Sequence, residues 1–209
     1  MIHIEKFTFN PFQENTYVVS NEAKACFIVD PGMYASAEEN ALKDYINQSG
    51  LEPEALINTH CHIDHVFGNS FVRNEYGLSP FIHENEVPVL EAVPQVAHLY
   101  NLNYTESPKP KHYNGNSMNL LGVNWHIIYA PGHSPGHVML YQEDEDVLLA
   151  GDVIFKMSIG RTDLPGGNHE DLIKNIKQKV FTLPEKTRIL PGHMGETTVG
   201  FEKENNPFF

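Results

Sequence analysis

The sequence predicts an α/β fold, on three observations. Apolar β-type segments alternate with segments of helical periodicity along the chain. This order recurs in two halves, without repetition of sequence, on either side of the Pro/Gly/Asn-rich connection NYTESPKPKHYNGNS. Four short polar stretches, INTH, YAPGH, LAGD and ILPGH, each follow an apolar strand and place a His or Asp just past its end. The carboxyl ends of strands are where open α/β sheets gather function, so four such ends converging would make one site.

The elements follow in order. HIEKFTF and NTYVVS have β character, and ACFIVDPG reads as a buried strand ending in a turn. SAEENALKDYINQSG sets Ala37, Ala41, Leu42, Tyr45 and Ile46 on one helical face, with Ser36 as the expected N-cap and Gly50 as the C-terminal stop. ALINTH is an apolar strand that ends at a His cluster. A helix over 66–76, a short strand at PFIH and a helix over 84–99 complete the first half. The second half has strands at VNWHIIYA, HVMLYQ and DVLLAGD, a helix over 169–180 and a strand at RILPGH. The acidic run EDED, 143–146, reads as a solvated hairpin turn.

Composition narrows the partners. The 209 residues carry 14 Lys+Arg against 27 Asp+Glu, a formal net charge of −13. Phosphate backbones and anionic lipid are recognised by clustered cations, so neither nucleic acid nor membrane is an expected partner. No apolar stretch approaches the ~18 residues of a membrane span. The opening MIHIEKFTFN has no basic segment followed by an apolar run, and two cysteines, Cys26 and Cys61, suggest no disulfide framework. A cytoplasmic location is expected.

Histidine is the unusual entry in the composition, at 12 residues. His3, His83, His98, His112 and His126 are scattered and read as surface or ordinary core. In NTHCHIDHVFGN, by contrast, His60, His62, Asp64 and His65 fall within six residues. His60 and His62, two apart, can point to one side; Asp64 and His65 can turn to a neighbouring position. Neutral imidazole and carboxylate oxygen suit zinc, iron and manganese. With His133, Asp152 and His193 at three further strand ends, a chance cluster is a poor explanation. Cys61 faces away from the side shared by His60 and His62, and so reads as a packed thiol.

THCHIDH, PGHSPGH, AGD and PGH, in that order over the whole chain, resemble the metallo-β-lactamase superfamily. The resemblance implies a four-layer αββα sandwich, as a single domain over 1–209, with metals at the edge of two sheets. Within the superfamily the chain resembles short, single-domain glyoxalase II-like (hydroxyacylglutathione hydrolase-like) proteins, through IFKMSIGRTDLPGGN and the ending GFEKENNPFF. By that likeness His60, His62 and His133 would bind one metal and Asp64, His65 and His193 a second, with Asp152 bridging. An acid at 152 differs from the Cys or Ser typical of lactam-cleaving members. No C-terminal helical glutathione-binding domain is expected. Gly195 and Asp163 stand where the family tends to have Tyr, whereas Arg161 matches a basic residue near the thioester substrate.

The implied function is a hydrolase with two divalent metal ions, zinc first and iron or manganese also suited. It would cleave a small-molecule thioester of the hydroxyacylglutathione type by attack of a metal-bound hydroxide, with Asp64 orienting the nucleophile and Arg161 contacting substrate. His137 would support the ligands without being one. Two rivals are a mononuclear iron persulfide dioxygenase using His60, His133 and Asp152, and a metal-stabilised module without catalysis.

Overall fold

The computed structural model describes residues 1–209 and contains two six-stranded mixed sheets. The first holds β1 (Ile2–Phe9), β2 (Glu14–Asn21), β3 (Ala25–Val29), β4 (Glu52–Ile57), β5 (Pro80–Ile82) and β6 (Lys111–His112) in sequence order. Helix α1 (Ser36–Ser49) links β3 to β4; α2 (Ile63–Val66) and α3 (Asn69–Tyr76) link β4 to β5; α4 (Val87–Leu99) follows β5. The second sheet begins with β7 (Ser117–Leu120), β8 (Val123–Tyr129), β9 (Val138–Gln142) and β10 (Val147–Gly151). A small hairpin, β11 (Ile154–Phe155) and β12 (Ser158–Ile159), and α5 (His169–Asn175) come before β13 (Arg188–Pro191), β14 (Thr197–Thr198) and α6 (Val199–Asn205). The order in that sheet is β14-β13-β10-β9-β8-β7.

Residue-by-residue alternation explains the layering. Val19, Phe27, Val29, Ala55 and Ile57 of the first sheet pack with Trp125, Ile127, Leu140, Leu149 and Leu190 of the second. Their neighbours Val18, Cys26, Ile28 and Leu56 face outward, onto Leu42 and Ile46 of α1 and Val72 of α3. On the far side Met139, Leu148, Ala150 and Ile189 face outward onto Leu172 of α5 and Val199 of α6. Strands buried on both faces read as near-continuous apolar runs, which is how these appear in the sequence. The result is the expected α/β/β/α sandwich. Phe27 and Trp125 meet edge to face across the inter-sheet layer, ring centroids 5.2 Å apart.

Several details differ from expectation. The N-cap of α1 is Ala35, not Ser36; Glu38 reaches back to accept the Tyr34 and Ala35 N–H groups at 2.7 and 3.1 Å. Gly50 does close α1 in the left-handed region. The helix expected over 66–76 is two pieces, because the chain dips at Gly68, whose N–H bonds the Pro31 carbonyl at 2.7 Å. The one expected over 84–99 opens as a tight turn at 84–86, and that over 169–180 widens into a π-turn at 176–180. β6, β7, the β11–β12 hairpin, β14 and α6 carry no strong periodicity and escape the sequence reading. EDED does form the turn between antiparallel β9 and β10. No helix is long and apolar enough to cross a membrane.

Candidate metal centre

The loop after β4 is shaped by a buried carboxylate at the end of β3. Asp30 accepts the Thr59 N–H at 2.7 Å and the Thr59 hydroxyl at 2.6 Å, and its Oδ2 lies 3.1 Å from Nδ1 of His65. Asn58 donates from Nδ2 to the His65 carbonyl at 3.1 Å, which folds the loop back on itself. His62 then stands at the N-cap of α2, with Asp64 and His65 in its first turn. Cys61 is fully buried among Ile63, Val66, Phe67, Ile82 and Val93. Burial pushes its thiol well above the usual range, which makes it a packing group and not a nucleophile.

The chain ends of four strands bring all seven sequence-identified donors together. Nε2 of His133, past the end of β8, lies 2.8 Å from Nδ1 of His62 and 3.2 Å from Nε2 of His60. Asp64 Oδ2 is 3.5 Å from Nε2 of His65 and 3.1 Å from Nε2 of His193, which follows β13. Asp152, after β10, lies between the two groups. Its Oδ2 is 3.5 Å from Nε2 of both His133 and His193, and its Oδ1 is 3.4 Å from Nε2 of His65. Donor atoms around a tetrahedral ion with ~2.1 Å bonds stand about 3.4 Å apart, so these spacings suit metal ligation. Nε2 of His65 and Oδ1 of Asp152 are buried and lack hydrogen-bond partners. Two orphaned acceptor-capable atoms facing each other at 3.4 Å are what a cation satisfies. The arrangement fits a dinuclear metal site.

The outward nitrogens of the histidines are held as well. Nδ1 of His133 faces the Arg161 carbonyl at 2.8 Å, and Nδ1 of His193 faces the Gln13 carbonyl at 3.2 Å. Such contacts fix ring orientation and leave the other nitrogen for the centre. His137 stacks on His60, and its Nε2 accepts the Asp152 N–H at 3.0 Å, so it supports the donors without joining them.

Electrostatically the two groups differ. Burial lowers the pKa values of His60, His62 and His133, that of His62 to about 3. Burial also opposes a charge on His65 and His193, but Asp152 and Asp64 outweigh it at His65, and Asp64 outweighs it at His193, so both are raised. In return, although burial would raise Asp64 and Asp152, His65 holds both below their ordinary range.

Arg161 stands beside the centre without joining its donors. Its exposed guanidinium is held by Asp163 through two bonds of 2.7 and 2.8 Å. Its backbone, not its side chain, reaches the centre, through the carbonyl that faces His133. The approach depends on Gly160: a Cβ there would lie 1.9 Å from the Asp152 carbonyl oxygen. Sequence reading missed Asp30 and Glu14, both buried against His65, with Glu14 Oε1 3.9 Å from its Nδ1. Asp30 ends an apolar strand, the same signal that identified Asp152. The five scattered histidines lie outside the donor clusters.

Comparison with known proteins agrees with this geometry. The chain is 37% identical over 201 residues to the probable metallo-hydrolase YqgX of Bacillus subtilis, covering 95% of this chain and 93% of that one. It is 32% identical to the hydroxyacylglutathione hydrolase GloC of Haemophilus influenzae, covering 99% and 98%. Among solved structures it is similar to the BLEG-1 B3 metallo-beta-lactamase, with a TM-score of 0.91, 35% identity and 99% coverage of both chains. It is also similar to TTHA1623 in a di-iron-bound form, with a TM-score of 0.88, 33% identity and coverage of 98% and 100%. The family model of the metallo-beta-lactamase superfamily matches residues 9–193, and the chain belongs to that superfamily.

Proposed function

We propose that the protein is a dinuclear metal-dependent hydrolase that cleaves a small-molecule thioester of the hydroxyacylglutathione type. The observation that carries the reading is Asp152, which stands between the two donor groups: its Oδ2 faces His133 of the first and His193 of the second, and its Oδ1 faces His65 of the second. The likeness to GloC supports the substrate class. Zinc is the proposed ion; iron suits the same nitrogen and oxygen donors, and TTHA1623 was solved with two irons.

Bound cations would supply Lewis acidity and water whose pKa is lowered to ~7. The chain's own residues do the rest. His60 and His65 are fully buried, whereas the side chains of Asp64 and His193 are 14% and 19% exposed. His62, also partly exposed, adds to the solvent-facing side of the centre. Asp64 orients the attacking water as the carbonyl carbon becomes tetrahedral. The thiolate then leaves; with a thiol pKa of ~8.5 it needs no strong acid from the protein. An acidic thiol half would compete with Asp163 for the guanidinium of Arg161, whose side chain is 59% exposed.

A substrate panel tests the reading. Metal-loaded protein is given S-lactoylglutathione, a neutral thioester, a β-lactam, and glutathione persulfide with oxygen uptake recorded. Thioester cleavage in preference to the others is expected. Oxygen uptake with the persulfide and no thioester cleavage would place the chemistry with mononuclear iron on His60, His133 and Asp152; lactam cleavage alone would overturn the substrate class.

A further inference from the structure

Glu86 lies in the tight turn that precedes α4, outside every motif that carries a donor, and it is fully buried. A carboxylate in the interior is strongly disfavoured unless several donors surround it. Glu86 has three. Its Oε2 accepts the Cys61 N–H at 2.7 Å, from the residue between His60 and His62. Its Oε1 accepts the Ser134 hydroxyl at 2.5 Å and the Gly136 N–H at 2.7 Å, from the loop that carries His133. Gly136 is built for that contact, because a Cβ there would stand 2.7 Å from both Cγ and N of Glu86.

The two loops belong to different sheets. One leaves β4 of the first sheet, and the other joins β8 to β9 of the second. A single carboxylate thus spans the gap between His60 and His62 on one side and His133 on the other. The second donor group is tied elsewhere. Asp30 faces His65, the Gln13 carbonyl faces His193, and Asn15 donates to the Pro191 and Met194 carbonyls around His193.

We infer that Glu86 is a positioning residue for the His60–His62–His133 group alone, setting the separation of its two loops across the sheets. The inference rests on the metal-centre reading above. Both oxygens of Glu86 are used, so glutamine is not a neutral replacement. An amide has one accepting oxygen, and its NH₂ would face a donor from one of the two loops. Glu86→Gln therefore keeps the volume and releases one arm of the clamp.

The test is zinc binding to metal-free protein, read by chelator competition, independent of turnover. The wild type should take two zinc ions. Glu86→Gln should weaken one of them by ~10- to 100-fold, the range for removing a partner behind a ligand. The other should stay within ~3-fold. Combined with His62→Ala, Glu86→Gln should add little further loss; combined with His193→Ala, it should show its full effect. Should Glu86→Gln not fold, Ser134→Ala removes one of the three donors and should weaken the same ion roughly 3- to 10-fold. A wild type that takes fewer than two zinc ions overturns the metal-centre reading and this assignment together. Two ions in the wild type, with both weakened equally or neither weakened in the variant, overturn the assignment of Glu86 alone.

Discussion

The two donor groups lie side by side, yet they have opposite electrostatic characters. His60, His62 and His133 are neutral imidazoles whose protonation burial suppresses. His65 and His193 face Asp64 and Asp152, whose charges raise their pKa values. The comparison teaches that similar ligand chemistry can be prepared in two ways: by keeping lone pairs free, or by pairing charges that a metal must then displace.

The largest expected effect comes from removing the residue the groups share. Asp152→Ala should cost each ion more than the ~100-fold that a partner behind a ligand costs, so that both ions are lost on dialysis against dilute chelator. Loss of only one ion would break the idea that both groups depend on Asp152.

Next comes pH. Because His65 and His193 are raised, metal at the second group must expel protons over a range where the first group carries none, and its affinity should fall by ~10-fold per pH unit for each proton displaced. Titration between pH 8 and 5.5 should therefore strip the second group first, with proton uptake seen in weakly buffered solution. Without metal, the signs differ between the groups. His62, lowered to about 3, contributes stability that is lost as pH falls below the ordinary histidine value of ~6.5, by up to about 1.4 kcal/mol per pH unit. His65 and His193, raised, contribute stability that is full below ~6.5 and is lost as pH rises through their folded values. Simultaneous loss of both ions on acidification would remove the electrostatic distinction.

Arg161 should have a smaller effect, confined to substrate. Arg161→Ala should leave both ions bound, since only its carbonyl touches His133. It should lower kcat/KM for an acidic thioester by ~10- to 150-fold, and for a neutral one much less. Equal losses on both would reduce the side chain to its pair with Asp163. The smallest effect belongs to Cys61. Cys61→Ala should leave the metal affinity of both groups unchanged, while chemical denaturation detects a small loss of packing. A drop in metal content would put the thiol in the centre after all.

Much of this was legible in the sequence because strand ends announce themselves. Apolar runs ending in NTHCHIDH, PGH and AGD mark the seven candidate donors, and continuous apolar strands imply sheets covered on both faces. What was not legible depends on distant parts of the chain meeting. Glu86 sits among Glu84 and Glu91 with nothing local to mark it; only the fold sets it against Cys61 and Ser134. Arg161 looks like a substrate contact because its charge is visible in sequence, whereas the role of its carbonyl requires the close approach at Gly160. Ser36 has the chemistry of an N-cap, but Glu38 caps from inside the helix and moves the boundary by one residue.

The central claim is that Asp152 divides two ions between the two groups. Anomalous diffraction from metal-loaded crystals tests it most directly. The account predicts two peaks at comparable occupancy near neutral pH, ~3.5–4 Å apart as in two-metal sites. One should lie among His60, His62 and His133 and the other among Asp64, His65 and His193, with an Asp152 oxygen directed at each. A single peak held by His60, His133 and Asp152, with the second group still ion-paired under excess metal, would contradict it.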